Sequence, residues 1–505
     1  MAAPTGADYD AIVIGAGLGG LSAGACLARG GKRVLLVERQ AGVGGNAHAF
    51  TRGPYTFDPA IHVTAHGYNI EFFDFYFDAL GVRDKIELIP AHTLMSVDVC
   101  GDRFRFPIGT QPLVDALEDY FPGSGAGEFI RVAAAATTES QQPPPRVALR
   151  DLEEAMKALP TLFKYRTATV QEVLDEYVSD ERAAAVCAGQ WPYMGLPPSR
   201  LSFMAYAGAL MASCDPGPQY VRGSFQRLAD TIAGAITDSG GEILTDTEVT
   251  RILVEDGKVT GVELGGEQVE RAPIVISNAD ARLTFERLVG EEHLTERYLK
   301  RLRRMTPSIS AFLLYSAATI DPALHGIDHE TMVYRHWDHD ETWNDVLAGR
   351  PGGTWLSIPT MHDPALAPPG EHIVIYTSLM PYDIGEPWED ASERITEEML
   401  DQVEALMPGY RESITHVGTA TPTTFESATL AHQGAIYGWE NVPTQTVPKR
   451  LDFHTPIEGL WLAGHWTHPG TGSVRCLLSG AQTVAAINGI YDPRELLGTL
   501  ASAAA

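Results

Sequence analysis

Gly15, Gly17 and Gly20 stand in G-x-G-x-x-G spacing within Gly15-Ala16-Gly17-Leu18-Gly19-Gly20. That spacing suits the binding of a pyrophosphate. The first glycine permits a tight turn, the second lets the backbone approach the phosphates, and the third brings a helix close to a strand. The motif alone is weak, and its setting strengthens it. Ala11-Ile12-Val13-Ile14 before it is a short apolar run, as in a strand buried on both faces. Leu21 to Ala28 after it is a helix of small residues, closed by Gly30-Gly31 and followed by a second buried strand, Val34-Leu35-Leu36-Val37. Glu38 ends that strand, where a carboxylate can bind ribose hydroxyls, with Arg39 beside it. Gly42-Val43-Gly44-Gly45-Asn46 then places a second glycine pair where the chain can pass the pyrophosphate from the other side. A simple hairpin turn is the alternative reading of that pair. Together these residues favour FAD over NAD as the cofactor.

Other residues tempt as chemistry. His62 and His66 are spaced i, i+4, and His336-Trp337-Asp338-His339-Asp340 looks metal-like. Neither has a strong accompanying ligand pattern, so no metal is expected. The cysteines, Cys26, Cys100, Cys187, Cys214 and Cys476, are odd in number, widely spaced and without a C-x-x-C pair. They indicate neither a disulfide framework nor a zinc cluster, and a reducing cytoplasm fits them best.

The elements that must position these residues come from a chain of 505 residues, enough for two or three domains. Hydrophobic residues make up 44% and charged residues 20%, an ordinary globular balance. The net charge of −28 argues against nucleic-acid binding and against attraction to anionic lipid by charge alone. No stretch approaches the roughly 18 apolar residues of a membrane span, and Met1 to Asp10 lacks the features of a signal peptide. Any membrane contact would be peripheral. The expected location is cytoplasmic, with membrane association left open.

Gln141-Gln142-Pro143-Pro144-Pro145 reads as a surface linker, and Asp151 to Asp180 as largely helical. From Cys187 to Cys214 the chain is rich in Met, aromatic and small residues, among them Trp191, Tyr193, Met194, Phe203, Met204, Tyr206 and Met211. These either line a tunnel for an apolar substrate or pack as ordinary core. Phe225 to Ser239 is an amphipathic helix. Glu242-Ile243-Leu244, Val249 to Val254 and Val259 to Leu264 are successive strands, with a turn at Asp256-Gly257. Ile274 to Ser277, Ala311 to Tyr315, Ile373 to Tyr376 and Leu460 to Ala463 are further strands, and a helix starts near Val474.

Four segments resemble the phytoene desaturase, carotenoid isomerase and retinol saturase group of FAD enzymes. They are the N-terminal unit through Gly53-Pro54-Tyr55-Thr56-Phe57-Asp58; Gly223-Ser224 with the helix after it and Gly240-Gly241-Glu242; Val275-Ile276-Ser277-Asn278-Ala279-Asp280; and Gly459 to Gly464 with Thr467 to Gly472 and Ser479-Gly480. The resemblance implies an α/β fold: a discontinuous, Rossmann-like FAD-binding domain from 1–80, 219–290 and 425–505. An α+β substrate domain would be inserted as 81–218, mostly helical and partly apolar, and 291–424. It implies cofactor contacts at Gly15, Gly17, Gly19, Gly20, Glu38, Arg39, Gly44, Gly45, Asn46, Ala60, Ile61, His62, Val249 on the adenine side, and Asn278. Gly464 and His465 would pass near the pyrophosphate and ribityl chain, and Gly472, Ser473 and Val474 would open a helix pointing at the flavin pyrimidine. Main-chain N–H groups there stabilise negative charge on a reduced flavin.

The chain departs from the group at Ser473-Val474-Arg475-Cys476 and at His465-Trp466. Arg475 either tunes the flavin or pairs with an acid elsewhere. Trp466 either walls the ring or packs in the core, and Cys476 is read as packing. His62 beside the isoalloxazine, His465 and Arg475 are the catalytic candidates. The implied activity is oxidation, reduction or isomerisation of carbon–carbon bonds in an apolar, polyene or isoprenoid-like molecule. A flavin amine oxidase, with Trp439 and Trp466 as an amine cage, and a redox-silent FAD-binding scaffold are the alternatives. Substrate identity, electron acceptor and oligomeric state stay open.

Overall fold

The computed structural model describes residues 8–65, 71–141 and 152–502. His66, Gln142 to Pro145 and Asp151 lie outside the described residues. Five parallel strands form one sheet in the order Leu460–Leu462, Val275–Ser277, Ala11–Ile14, Val34–Val37, Glu242–Leu244. The two central strands are buried along their whole length, which is why their sequences are continuous apolar runs.

The helix Leu18–Arg29 is buried at every residue except Arg29. It begins earlier than the sequence reading placed it, because Gly19 and Gly20 are helical rather than part of the turn. Their small size serves packing. The helix Ser473–Ile487 crosses so closely that a Cβ on Gly480 would lie 2.6 Å from Ser22 Cβ. The Ser22 hydroxyl donates to the Leu477 carbonyl at 2.6 Å across that contact. The helix Phe225–Asp238 covers another side. Its N-cap residue Ser224 makes no side-chain cap, and Phe225 N–H instead donates to the buried Asp58 at 3.0 Å.

A seven-stranded sheet runs in the order Ile414–Ala420, Ser310–Ala318, His372–Met380, Gly352–Ser357, Glu330–Tyr334, Met95–Val99, Asp102–Phe106. Met95–Val99 joins parallel to Glu330–Tyr334. The sequence reading passed over both strands of the 95–106 hairpin, although Met95-Ser96-Val97-Asp98-Val99 and Arg103-Phe104-Arg105-Phe106 each alternate apolar and polar residues. A third, antiparallel sheet comprises Val249–Glu255, Lys258–Leu264 and Gln268–Arg271. Its first turn has positive φ at both Asp256 and Gly257, the backbone that a two-residue hairpin needs.

Candidate functional site

One cavity of about 1930 Å³ runs from the glycine turns to the seven-stranded sheet. At the turn itself, Gly15 has φ +90° and its N–H donates to the Val37 carbonyl at 2.8 Å. Ala16 and Gln40 N–H groups hold the two oxygens of Glu38 at 2.7 and 2.8 Å, so that carboxylate is fixed at the cavity rim. Gly44 N–H donates to the Ala16 carbonyl at 2.8 Å, and a Cβ on Gly45 would lie 3.0 Å from Gly17 Cα. The second glycine pair therefore packs backbone to backbone on the first loop. It is no free-standing hairpin.

Asn278 sits at the centre of these turns. A Cβ on Gly17 would lie 2.8 Å from its Nδ2, and one on Gly19 2.6 Å from its Oδ1. Gly464, at φ +87°, closes the same nest, and its N–H donates to Ser479 Oγ at 3.0 Å. Gly20 is the exception among the motif glycines. It does not line the cavity, and its missing Cβ makes room for the Gly15 carbonyl.

Of the other sequence-derived residues, Asn46, Ala60, Ile61, His62 and Val249 line the cavity. So do His465, Gly472, Ser473, Val474 and Arg475. Arg39 lines it as well, but its guanidinium is spent on the Ser427 and Ala428 carbonyls at 2.7 and 2.9 Å. Gly472 caps the helix Ser473–Ile487 with φ +120°, and Ser473 Oγ lies 2.9 Å from Thr64 Oγ1. Burial lowers the Arg475 pKa to about 10, so it stays charged at neutral pH. Burial pushes Cys476 up to about 12, which leaves an unreactive thiol.

Arg450, which sequence reasoning missed, is 1% exposed. It donates to the carbonyls of His465, Tyr437 and Trp439 at 3.2, 3.2 and 3.1 Å. Burial, then the Arg450 charge, lowers His465 to about 4, so its ring is neutral at pH 7. No local sequence signal marks Arg450, because its partners are main-chain atoms of distant segments.

The far wall is built from side chains. Glu330 and His62 are 2% and 6% exposed, and both line the cavity with Tyr193 and Trp355. Tyr193 Oη donates to Glu330 Oε2 at 2.5 Å, and Trp355 Nε1 donates to His62 Nδ1 at 3.3 Å. The Trp355 bond puts the single imidazole proton on Nε2, which is enclosed and has no hydrogen-bond partner among the described residues. Glu330 Oε1 lies 4.0 Å from His62 Nδ1. The spacing is that of an ion pair, but burial raises Glu330 to about 8 and lowers His62 to about 4. Both are neutral at pH 7. The one sequence signal for Glu330 was an acid opening the otherwise uncharged strand Glu330–Tyr334.

The Met and aromatic segment divides between its two readings. Tyr193, Met194 and Met204 line the cavity, whereas Trp191, Phe203, Tyr206 and Met211 pack in a core cluster. Trp466 both lines the cavity and stacks edge-to-face on Trp439, centroids 4.8 Å apart. Trp439 is fully buried away from the cavity, so the two rings do not face each other across a ligand. His336 contacts Asp345 and Glu341, while His339 contacts the Ala185 carbonyl, so the two do not converge. Among the described residues no group of three potential metal ligands comes together.

The nest of missing Cβ atoms and the orphaned His62 Nε2 both fit a long cofactor with phosphates at one end and polar ring atoms at the other. This fold and this site define a dinucleotide-binding flavoprotein. The chain belongs to the flavin-containing amine oxidoreductase family, whose model matches residues 18–488. It is an FAD-dependent oxidoreductase. It is 28% identical to the phytoene desaturase (neurosporene-forming) of Rhodobacter capsulatus, over 93% of this chain and 92% of that protein. It is also 28% identical to prolycopene isomerase 1, chloroplastic, of an Oncidium hybrid cultivar, over 97% and 86%. An oxidoreductase from Methanosarcina mazei has the same fold, with TM-score 0.67 at 17% identity, covering 95% of this chain and 99% of that one.

Proposed function

We propose that the enzyme desaturates, saturates or isomerises carbon–carbon bonds of an apolar polyene or isoprenoid-like molecule. The observation that carries this is the single cavity joining the glycine nest to a wall of apolar and neutral side chains. At about 1930 Å³ it exceeds the roughly 300–1,000 Å³ of ordinary ligand sites, room for a dinucleotide and a long second molecule. The names of the desaturase and isomerase relatives support the same reading. In this reading the cofactor unit is 1–80, 219–290 and 425–505, and the substrate unit 81–218 and 291–424.

The sequence-derived contacts take the following roles. Gly15, Gly17 and Gly44 would admit the pyrophosphate, Glu38 would bind the ribose, and Val249 would hold the adenine side. Gly472 to Val474 would offer N–H groups to the flavin pyrimidine, and Arg475 would add positive charge. Bound FAD supplies the two-electron acceptor or donor. The protein's part at the reacting carbons is to orient, to exclude water and to hold a proton. Glu330 holds it: near its raised pKa a carboxyl both gives and takes a proton at working pH. With Tyr193 donating to Oε2, the proton of neutral Glu330 sits on Oε1. Trp355 and Tyr193 act as positioning residues. Phe72, Leu159, Leu162 and Phe163 extend the lining away from this wall and suit an apolar chain. No described helix is long and apolar enough to cross a membrane, so delivery from a bilayer or carrier would be peripheral.

The test is mass spectrometry of lipophilic compounds carried by the purified holoenzyme, followed by their anaerobic turnover. A mass change of two hydrogens, or a double-bond shift at constant mass, is expected. Turnover confined to small amines would favour an amine oxidase. The Trp439–Trp466 geometry gives that alternative no cage.

A further inference from the structure

In a chain of net charge −28, cations are expected beside carboxylates, and Arg303 for one pairs with Glu286 and Glu291. One cleft is different. Between the helix Glu296–Arg304 and residues 444–449 lies a cavity of about 630 Å³, lined by Arg297, Lys300, Arg301, Arg304 and Lys449. Glu296 is the one carboxylate in that lining. The four helical cations are spaced i, i+3, i+4 and i+7, so they share one face of the helix. Arg301 donates to the Lys449 and Arg450 carbonyls at 3.2 Å each, and Lys449 Nζ to the Pro443 carbonyl at 3.2 Å. The Arg301 bonds hold the two walls together, and the Lys449 bond closes its own segment. Among the described residues none of the five cations reaches a carboxylate at ion-pair distance.

The helix itself accounts for part of this arrangement. Cations in the last turn, Arg301, Arg303 and Arg304, complement the negative end of the macrodipole. Arg297 lies in the first turn, where a cation is unfavourable. Arg297 with Arg301 and Lys300 with Arg304 are like charges at i, i+4, which destabilise a helix. Among the described residues the offsets to that repulsion are Glu296, one turn before Lys300, and the carbonyls that Arg301 and Lys449 reach.

The geometry points to a phosphate-binding site in this cleft, for a compact ligand carrying at least two negative charges as a diphosphate or phosphomonoester group. The volume lies within the range of small-molecule sites. Guanidinium forks bind phosphate oxygens in pairs, and three of the five cations are arginines. The site is separate from the flavin cavity. Residues 446–450 form its partition, since they line that cavity from the other side.

Two probes separate the sources of such a phosphate, both used with the FAD-loaded full chain at low salt. Pyrophosphate is titrated calorimetrically, and phosphatidylcholine vesicles with and without phosphatidylglycerol are sedimented with the protein. The variants are Arg297→Gln/Lys300→Gln/Arg304→Gln together, and Arg303→Gln as the control on the paired face. Binding of at least one probe is expected, weakened about tenfold or more in the triple variant and unchanged in the control. Pyrophosphate binding marks a soluble ligand; binding only to phosphatidylglycerol vesicles marks a lipid headgroup. If the triple variant loses its fold, Arg297→Gln alone should weaken binding about threefold. The site is refuted if neither probe binds, or if the cleft variants bind as well as wild type.

Discussion

The two ends of the main cavity are built on opposite principles. The cofactor end is made of backbone: positive-φ glycines, N–H groups and the gaps left by missing Cβ atoms around Asn278. The far wall is made of side chains, His62, Tyr193, Glu330 and Trp355, drawn from four separate stretches of the chain. A backbone-built site demands glycine at fixed spacing within one turn, so it leaves a local trace in the sequence. A side-chain-built site needs only that distant residues end in the same place, and leaves almost none.

The most severe test of the backbone end is Gly17→Val. Its Cβ would press on Asn278 Nδ2, 2.8 Å away, in the middle of the nest. The purified variant is expected to be colourless, read as flavin absorbance per protein. A fully loaded yellow variant would break the contrast.

Glu330→Gln tests the other end. It should keep its FAD and lose roughly 10²-fold or more in turnover, the usual worth of a positioned acid–base group. The pH profile should also lose its limb near 8. Stability checks the same group independently. Glu330 is raised from 4.5 to about 8 in the folded protein, so its neutral form is the one the fold favours. Its stabilising contribution is complete below about pH 4.5 and is lost as pH rises through about 8. The melting temperature of wild type should therefore fall relative to Glu330→Gln across that window. Parallel curves would remove the buried acid from the account.

Arg450→Met should cost about 3 kcal/mol in denaturant unfolding, since it takes a charged donor from three carbonyls, of which the buried Trp439 and half-buried His465 are left stranded while Tyr437 keeps the Thr471 hydroxyl. A neutral result would mean those carbonyls find other partners.

The smallest effect is expected at Arg475. Replacing it by Gln removes a positive charge beside the helix N-terminus and should lower the two-electron flavin potential by roughly 30 mV, about 1.4 kcal/mol. An unchanged potential with a lower melting temperature would make it a structural residue.

Legibility in the sequence followed the same divide. The strand–turn–helix unit, Glu38, the second glycine pair and the C-terminal helix start were readable because each is fixed by local backbone demands. The helix start was placed three residues late, at Leu21 instead of Leu18, because Gly19 and Gly20 are weak helix formers whose size is set by close approach to Asn278, Gly464 and the Gly15 carbonyl. The hairpin strands Met95–Val99 and Asp102–Phe106 were missed although both alternate apolar and polar residues about the Cys100-Gly101 turn; only the place of Met95–Val99 beside a strand over 200 residues away is non-local. Glu330 and Arg450 were missed because burial alone makes them unusual, and burial is a property of the whole fold.

The central claim is that one cavity brings a flavin and an apolar molecule together at the Glu330 wall. It is tested most directly by anaerobically mixing the holoenzyme with the lipophilic compound it carries, or an acyclic polyene, and following the flavin visible band. In wild type a spectral shift or bleaching that saturates with the polyene is expected. In Glu330→Gln the binding shift should persist and the bleaching should slow. A band that the polyene leaves untouched, or that responds identically in both proteins, would contradict it.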